Sequence, residues 1–161
     1  MSNYRVCIPT AGIGSRVEQV SGGLNKSLIE LDYKPIISHI IDLFPKQKTF
    51  VIPVGHKGDL VKQYLRVAHP KKKLLFVNIK KYIGKGSGLG LTLIKSKKFL
   101  NCPFIFISCD TIVEEKIKTP NHDWVAYSGR KLPNYRGLKI SKKKKVISFL
   151  DKNSLCSSNC F

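Results

Sequence analysis

Two glycine-rich stretches and one aspartate hold the residue types best suited to chemistry. The first, "PTAGIGSR" from Pro9 to Arg16, sets Ala11, Gly12, Gly14 and Ser15 ahead of Arg16, and Lys26 follows ten residues later. Glycines let backbone N–H groups approach an anion with no Cβ in the way. Arg16 can grip phosphate oxygens with two donors, and Lys26 adds a point charge. The second stretch, Gly84 to Gly90, contains Gly86, Ser87 and Gly88. Asp110 closes the run "PFIFISCD" and offers a hard carboxylate oxygen. This set suits a nucleoside triphosphate, its base and a magnesium ion. Each part also has a plainer meaning. The opening loop reads equally as a glycine turn with two solvated cations. Asp110 could cap a helix over Thr111 to Lys116, and Ser87 could N-cap the helix after its loop.

Neither familiar phosphate motif fits the opening loop. The dinucleotide fingerprint G-x-G-x-x-G finds Gly12 and Gly14 but has Val17 in its third glycine position. A P-loop, G-x-x-x-x-G-K-[ST], has Asn25 where glycine must precede Lys26-Ser27.

These residues need a scaffold, and the chain alternates strand and helix. Residues 4–9 read as a strand, and Lys34-Pro35 opens a helix carrying Ile36, Ile37, Ile40, Ile41 and Phe44 at helical spacing. "TFVIPV" (49–54) and "KLLFVN" (73–78) read as buried strands flanking a helix with Leu60, Val61, Tyr64 and Leu65 on one face. The second glycine loop leads into a helix over "LTLIKSKKFL", and 103–108 is a fourth strand. "DWVAYS", "RGLKIS" and "KVISFL" read as three further short strands, with Trp124 in the core. Such alternation implies a largely parallel sheet covered on both faces. Ligands of such sheets bind beyond the carboxyl ends of the strands, which selects residues 10–26, 84–88 and Asp110 together.

Bulk properties bound the rest. The 161 residues are 42% hydrophobic and 24% charged, with no apolar run long enough to span a bilayer and no signal-peptide pattern. Five cysteines without a CxxC pair fit a reduced, cytoplasmic setting. The four histidines lack metal-ligand spacing. Twenty-nine Lys and Arg against ten acids give a net charge of +19. The short runs Lys71 to Lys73 and Lys142 to Lys145 sit at turns, and lysine outnumbers arginine, so a solvated basic surface is expected before a nucleic-acid site.

The opening "PTAGIGSR", then Lys26 in "NKSLIEL", then "KPII", resembles the start of the sugar-1-phosphate nucleotidylyltransferases and their wider nucleotidyltransferase relatives. That family reads [LP]-[AT]-[GA]-G-x-G-[ST]-R, then about ten residues to Pro-Lys, then "KP" and an amphipathic helix. "GKGSG" resembles its second base-contacting loop and "FIFISCD" its metal-bearing strand. "YRGLKISKKKKVISFLDK" is similar to its "YG … EKP" segment, which places Gly137, Asp151 and Lys152 at the acceptor pocket. The resemblance implies a Rossmann-like three-layer α/β/α fold of the nucleotide-diphospho-sugar transferase type. It implies Mg²⁺-dependent transfer of a nucleotidyl group from a nucleoside triphosphate to a sugar 1-phosphate or phosphocholine. In that scheme Arg16 and Lys26 handle phosphates, Asp110 holds the metal, and Ala11, Gly12, Gly14, Ser15, Gly86, Ser87 and Gly88 bind the nucleotide.

The chain departs from the family in three places. Asn25 replaces the proline before Lys26, and Asp151 replaces a glutamate. The chain ends at "SSNCF", where family members continue through a further pocket strand and usually a second metal-binding aspartate. The expectation is therefore one nucleotidyltransferase-like domain, 1–161, lacking its C-terminal part. The alternative is a catalytically incomplete module that binds nucleotides or polyanions.

Overall fold

Residues 1–121 form one compact unit and 122–161 a second. The computed structural model describes residues 3–17, 22–127 and 137–150, apart from the Arg16 side chain. Within the first unit, apolar runs become strands and amphipathic runs become helices, in the order β1 (Arg5–Cys7), β2 (Glu30–Leu31), β3 (Lys34–Pro35), α1 (Ile36–Asp42), β4 (Thr49–Val54), α2 (Gly58–Ala68), β5 (Lys73–Asn78), α3 (Leu89–Ser96) and β6 (Phe104–Phe106). β1, β4, β5 and β6 make one parallel sheet in the order β5-β4-β1-β6. Arg5 sits between Thr49 and Phe104, and Cys7 between Val51 and Phe106. β2 and β3 form a separate antiparallel pair.

The period-two alternation of the strands sorts their side chains onto two covered faces. On one, Val6, Phe50, Ile52, Val54 and Ile105 pack with Ile37, Ile40 and Ile41 of α1 and Val61 and Leu65 of α2. On the other, Val51 and Val77 meet Phe99 and Leu100, which follow α3. This is the three-layer α/β/α arrangement expected from the alternation. Leu60 departs from the single buried face expected for α2, being exposed while Val61 and Leu65, which lie one turn apart from each other, are buried.

Two expectations fail after β6. Residues 111–116 form no helix, and instead Val113 and Ile117 pack against the first core. The described part of "DWVAYS", 123–127, is not a strand, and Trp124, Val125 and Tyr127 are exposed. Aromatic and β-branched residues favour strands only where a neighbour supplies the ladder and the burial. The second unit's described strands are β7 (Leu138–Ile140) and β8 (Val146–Phe149), an antiparallel hairpin whose turn holds the exposed lysines 142–145. No helix among the described residues is long and apolar enough to cross a membrane.

Candidate active site

The sheet order reverses at β1. The chain runs outward from β1 through β4 to β5, then returns to place β6 on the other flank. A crevice therefore opens beyond the carboxyl ends of β1 and β6, the usual ligand position in open α/β sheets. The opening loop leaves β1 at this edge, and Asp110 follows β6 there.

The first turn of the opening loop is tied to the end of β4. Thr10 donates to the Pro53 carbonyl through its N–H (2.8 Å) and its hydroxyl (3.0 Å), and the His56 N–H donates to Ala11 O at 3.0 Å. Gly55 makes this approach possible. A Cβ there would lie 2.7 Å from Ala11 O and 2.9 Å from the Tyr82 ring, closer than any side chain tolerates. Asn25, fully buried, adds a third tie. Its Nδ2 donates to Thr10 O (2.9 Å) and His56 O (2.7 Å), while its Oδ1 accepts from Ser27 N (3.0 Å) and Ser27 Oγ (2.8 Å). The bond from the Ser27 N–H caps the short 3₁₀ turn Lys26–Leu28.

That turn aims Lys26 across the crevice. Its aliphatic stem lies against Gly14, where a Cβ would stand 3.1 Å from the Lys26 Cβ. Gly14 has φ +73°, so it is a glycine both for its backbone and for this contact. The Lys26 ammonium then pairs with Asp110 Oδ2 at 2.9 Å. Ser108, two residues earlier in the turn that the Thr111 N–H closes onto Ser108 O at 3.2 Å, donates to Asp110 Oδ1. Burial pushes the Asp110 carboxyl up, but the hydrogen bonds from Ser108 and Lys26 and the lysine's charge outweigh it, leaving it below its ordinary value. Asp110 is thus ionised at neutral pH with one face still open, its side chain 45% exposed.

A magnesium ion fits this donor set in a limited sense. One ionised carboxylate at a crevice suits a hard cation that takes its other oxygens from substrate phosphates and water. Among the described residues, no group of three histidine, cysteine or acidic side chains gathers to hold a metal unaided.

The second glycine loop is built differently. Ser87 donates from both its N–H (3.0 Å) and its hydroxyl (2.7 Å) to Gly84 O, closing a turn on itself. Ser87 therefore does not cap α3, whose N-cap is Gly88 at φ 139°. The Lys81 ammonium lies 3.2 Å from where a Cβ on Gly86 would be. Tyr82, beside it, packs on Gly55 and edge-on to His56 with ring centroids 6.1 Å apart, so the residue before this loop rests on the turn that follows β4. A groove of about 310 Å³ runs along the same carboxyl edge of β4 and β5, lined in part by Gly55, Lys62, Asn78 and Lys80. None of its lining residues was picked out by sequence.

Of the residues proposed from sequence, the structure lays the Lys26 stem against Gly14, pairs the Lys26 ammonium with Asp110, and places Ala11 one hydrogen bond from the same framework. Gly12 is exposed with open space around it, and Ser15 is exposed in the turn Ser15–Val17. The Arg16 side chain, Asp151 and Lys152 lie outside the described residues. Gly137 belongs to the second unit, where its carbonyl accepts from Leu150 N–H at 2.9 Å. Asp110 caps no helix. Sequence reasoning missed Ser108, Asn25, Gly55 and Tyr82. Ser108 could have been found from its i, i+2 relation to Asp110, but the others act through partners far away in the chain.

No family model matches the chain. The bifunctional protein GlmU of Methanococcus maripaludis is 26% identical over 147 residues, covering 88% of this chain and 34% of that protein. The CTP:phosphocholine cytidylyltransferase LicC of Streptococcus pneumoniae superimposes with a TM-score of 0.71 at 18% identity, over 92% of this chain and 64% of its own. The fold is that of the nucleotidyltransferases. UDP-glucose pyrophosphorylase in complex with UDP-glucose agrees, with a TM-score of 0.69 at 16% identity over 98% of this chain and 73% of that one. The chain spans about a third of the length of the GlmU relative and just under two thirds of LicC.

Proposed function

We propose that this chain is the nucleotide-binding part of a nucleotidyltransferase that joins a nucleoside triphosphate to a phosphorylated acceptor. The observation that carries it is that Lys26, its stem against Gly14, pairs with Asp110, 84 residues away, at the carboxyl edge between β1 and β6. Similarity to a cytidylyltransferase acting on phosphocholine and to a UDP-glucose pyrophosphorylase supports the same chemistry. A phosphate oxygen of the acceptor attacks the α-phosphorus in line, a new P–O bond forms, and the bond to the pyrophosphate breaks. The nucleophile is already ionised, so no general base is needed, and catalysis rests on positioning and charge. Lys26 sits between the α-phosphate and the incoming phosphate and stabilises the charge that gathers as the bond forms. Arg16 holds the leaving pyrophosphate. Asp110 holds Mg²⁺, which supplies charge neutralisation on the phosphate oxygens. Backbone groups of Ala11, Gly12, Gly14 and Ser15, with Gly86, Ser87 and Gly88, take the nucleotide. Gly137, Asp151 and Lys152 contribute to the acceptor side.

The competing possibility, triphosphate binding without turnover, is supported by the absence, among the described residues, of any group of three metal-ligating side chains. Both are tested by incubating the protein with each nucleoside triphosphate against sugar 1-phosphates and phosphocholine, with and without Mg²⁺, and following pyrophosphate. Release that needs both the metal and an acceptor is expected. Binding without release under every pairing selects the binding module, and absence of triphosphate binding overturns both.

A further inference from the structure

We infer that Asn25 is a positioning residue that sets the place of Lys26 by clamping it to the loops ending β1 and β4, an inference resting on the transfer reaction proposed at Lys26. The carboxamide is fully buried and completely used. Both of its N–H donors go to carbonyls, Thr10 O and His56 O, and both lone-pair directions of its oxygen are taken by Ser27 N and Ser27 Oγ. Thr10 and Ala11 are themselves bonded to Pro53 and His56, so residues 10–11, 53–56 and 25–27 form one hydrogen-bonded plate. Lys26 stands between two fully buried neighbours, Asn25 and Ser27, and only its side chain leaves the plate, over Gly14 to Asp110.

The chemistry of the four contacts demands an amide. A carboxylate would turn an acceptor toward two carbonyls, and an aliphatic side chain would leave both of them, and the Ser27 N–H, without this partner. The backbone of Asn25 has φ −66° and ψ 138°, a conformation proline adopts without strain. Asn25→Pro therefore keeps the torsion and deletes the clamp, which separates the side chain's role from the backbone's.

The expected result is that Asn25→Pro and Asn25→Asp lower kcat by about 10- to 100-fold, the scale of a misplaced catalytic group. KM for the triphosphate should stay within about threefold, because Lys26 acts on charge that develops in the transition state. In a Lys26→Ala background the same substitutions should cost almost nothing further, whereas general structural damage would multiply through. Thermal melts establish that each variant is folded; should Asn25 variants not fold, Ser27→Ala removes one clamp contact and should give a smaller kcat loss of the same kind. Wild-type kcat in folded Asn25→Pro, or full additivity with Lys26→Ala, overturns the clamp. Near wild-type turnover in Lys26→Ala alone overturns the proposed reaction instead, so the two failures are distinguishable.

Discussion

The two glycine loops at the carboxyl edge differ in what holds them. The opening loop is fastened from outside, with Thr10 bonded to Pro53, Ala11 to His56, and Asn25 bridging Thr10 and His56. Among the described contacts of the second loop, Ser87 bonds only back to Gly84, and Gly88 O accepts from Thr92 within α3. A loop fixed by partners on two other segments arrives pre-set, as a site for a constant triphosphate geometry requires. A loop closed on itself can shift without breaking bonds to the sheet, which suits contact with a variable base. Rigidity is thus placed where the proposed chemistry is invariant.

The largest test of this contrast removes the charges that the rigid side supports. Lys26→Ala and Asp110→Asn should each lower turnover by about 10²–10³-fold or more, the scale for a lost transition-state charge partner. Both groups are partly exposed, so circular dichroism and thermal melts should show the fold intact. Next is Gly55→Ala, which forces a methyl group against Ala11 O and the Tyr82 ring. Backbone on one side and a packed ring on the other cannot retreat easily. A loss near 3 kcal/mol, the upper end for overpacking, is expected in urea unfolding, with turnover falling alongside it. Gly86→Ala is the matched change in the second loop. Its Cβ would meet only the flexible end of Lys81, so the cost is about 1 kcal/mol for φ +80°. It should raise KM for the triphosphate more than it lowers kcat. Equal losses for the two alanine substitutions would erase the contrast.

The smallest effect comes from pH, and it should touch neither loop selectively. Burial, more than the neighbouring charges of Asp42, Lys72 and Lys34, sets the His69 imidazole below its ordinary value of 6.5. Its Nε2 bonds to Ser38 Oγ at 2.8 Å in the layer between α1 and the end of α2. The unfolded chain therefore binds the proton first. Stability from this group is fully present above about pH 6.5 and declines as the pH falls below that value. Melting temperatures measured from pH 8 to 5 should fall gradually, and a Ser38→Ala variant should change that slope. A melting temperature independent of pH over this range would remove His69 as a contributor.

Much of the fold was legible because burial on both faces leaves a simple mark. "TFVIPV" and "KLLFVN" became β4 and β5 with the expected limits, and the spaced isoleucines became α1. "DWVAYS" carries the same residue types, but its described part, 123–127, pairs with no strand among the described residues, and local preference alone did not make it one. At the site, the rule that ligands gather at strand ends was enough to predict that Lys26 and Asp110 share an edge. Asn25 was visible only as a missing proline. Its importance lies in Thr10 and His56, 15 and 31 residues away, and a hydrogen bond across that separation leaves no periodicity to read.

The Lys26–Asp110 ion pair has one further effect on how an anion is received. In a chain with 29 lysines and arginines, exposed cations attract a polyanion additively, and that attraction weakens steeply as ionic strength rises. Lys26 is different because its charge is already balanced from within. In the proposed reaction, a metal–nucleotide complex that gives its cation to the aspartate and its phosphate to the lysine trades one internal pair for two new ones, while the complex's own net negative charge is left for the neighbouring cations to balance. Capture by that route combines an exchange of partners at Lys26 and Asp110 with long-range attraction by the remaining cations, and the second part is the one that added salt weakens.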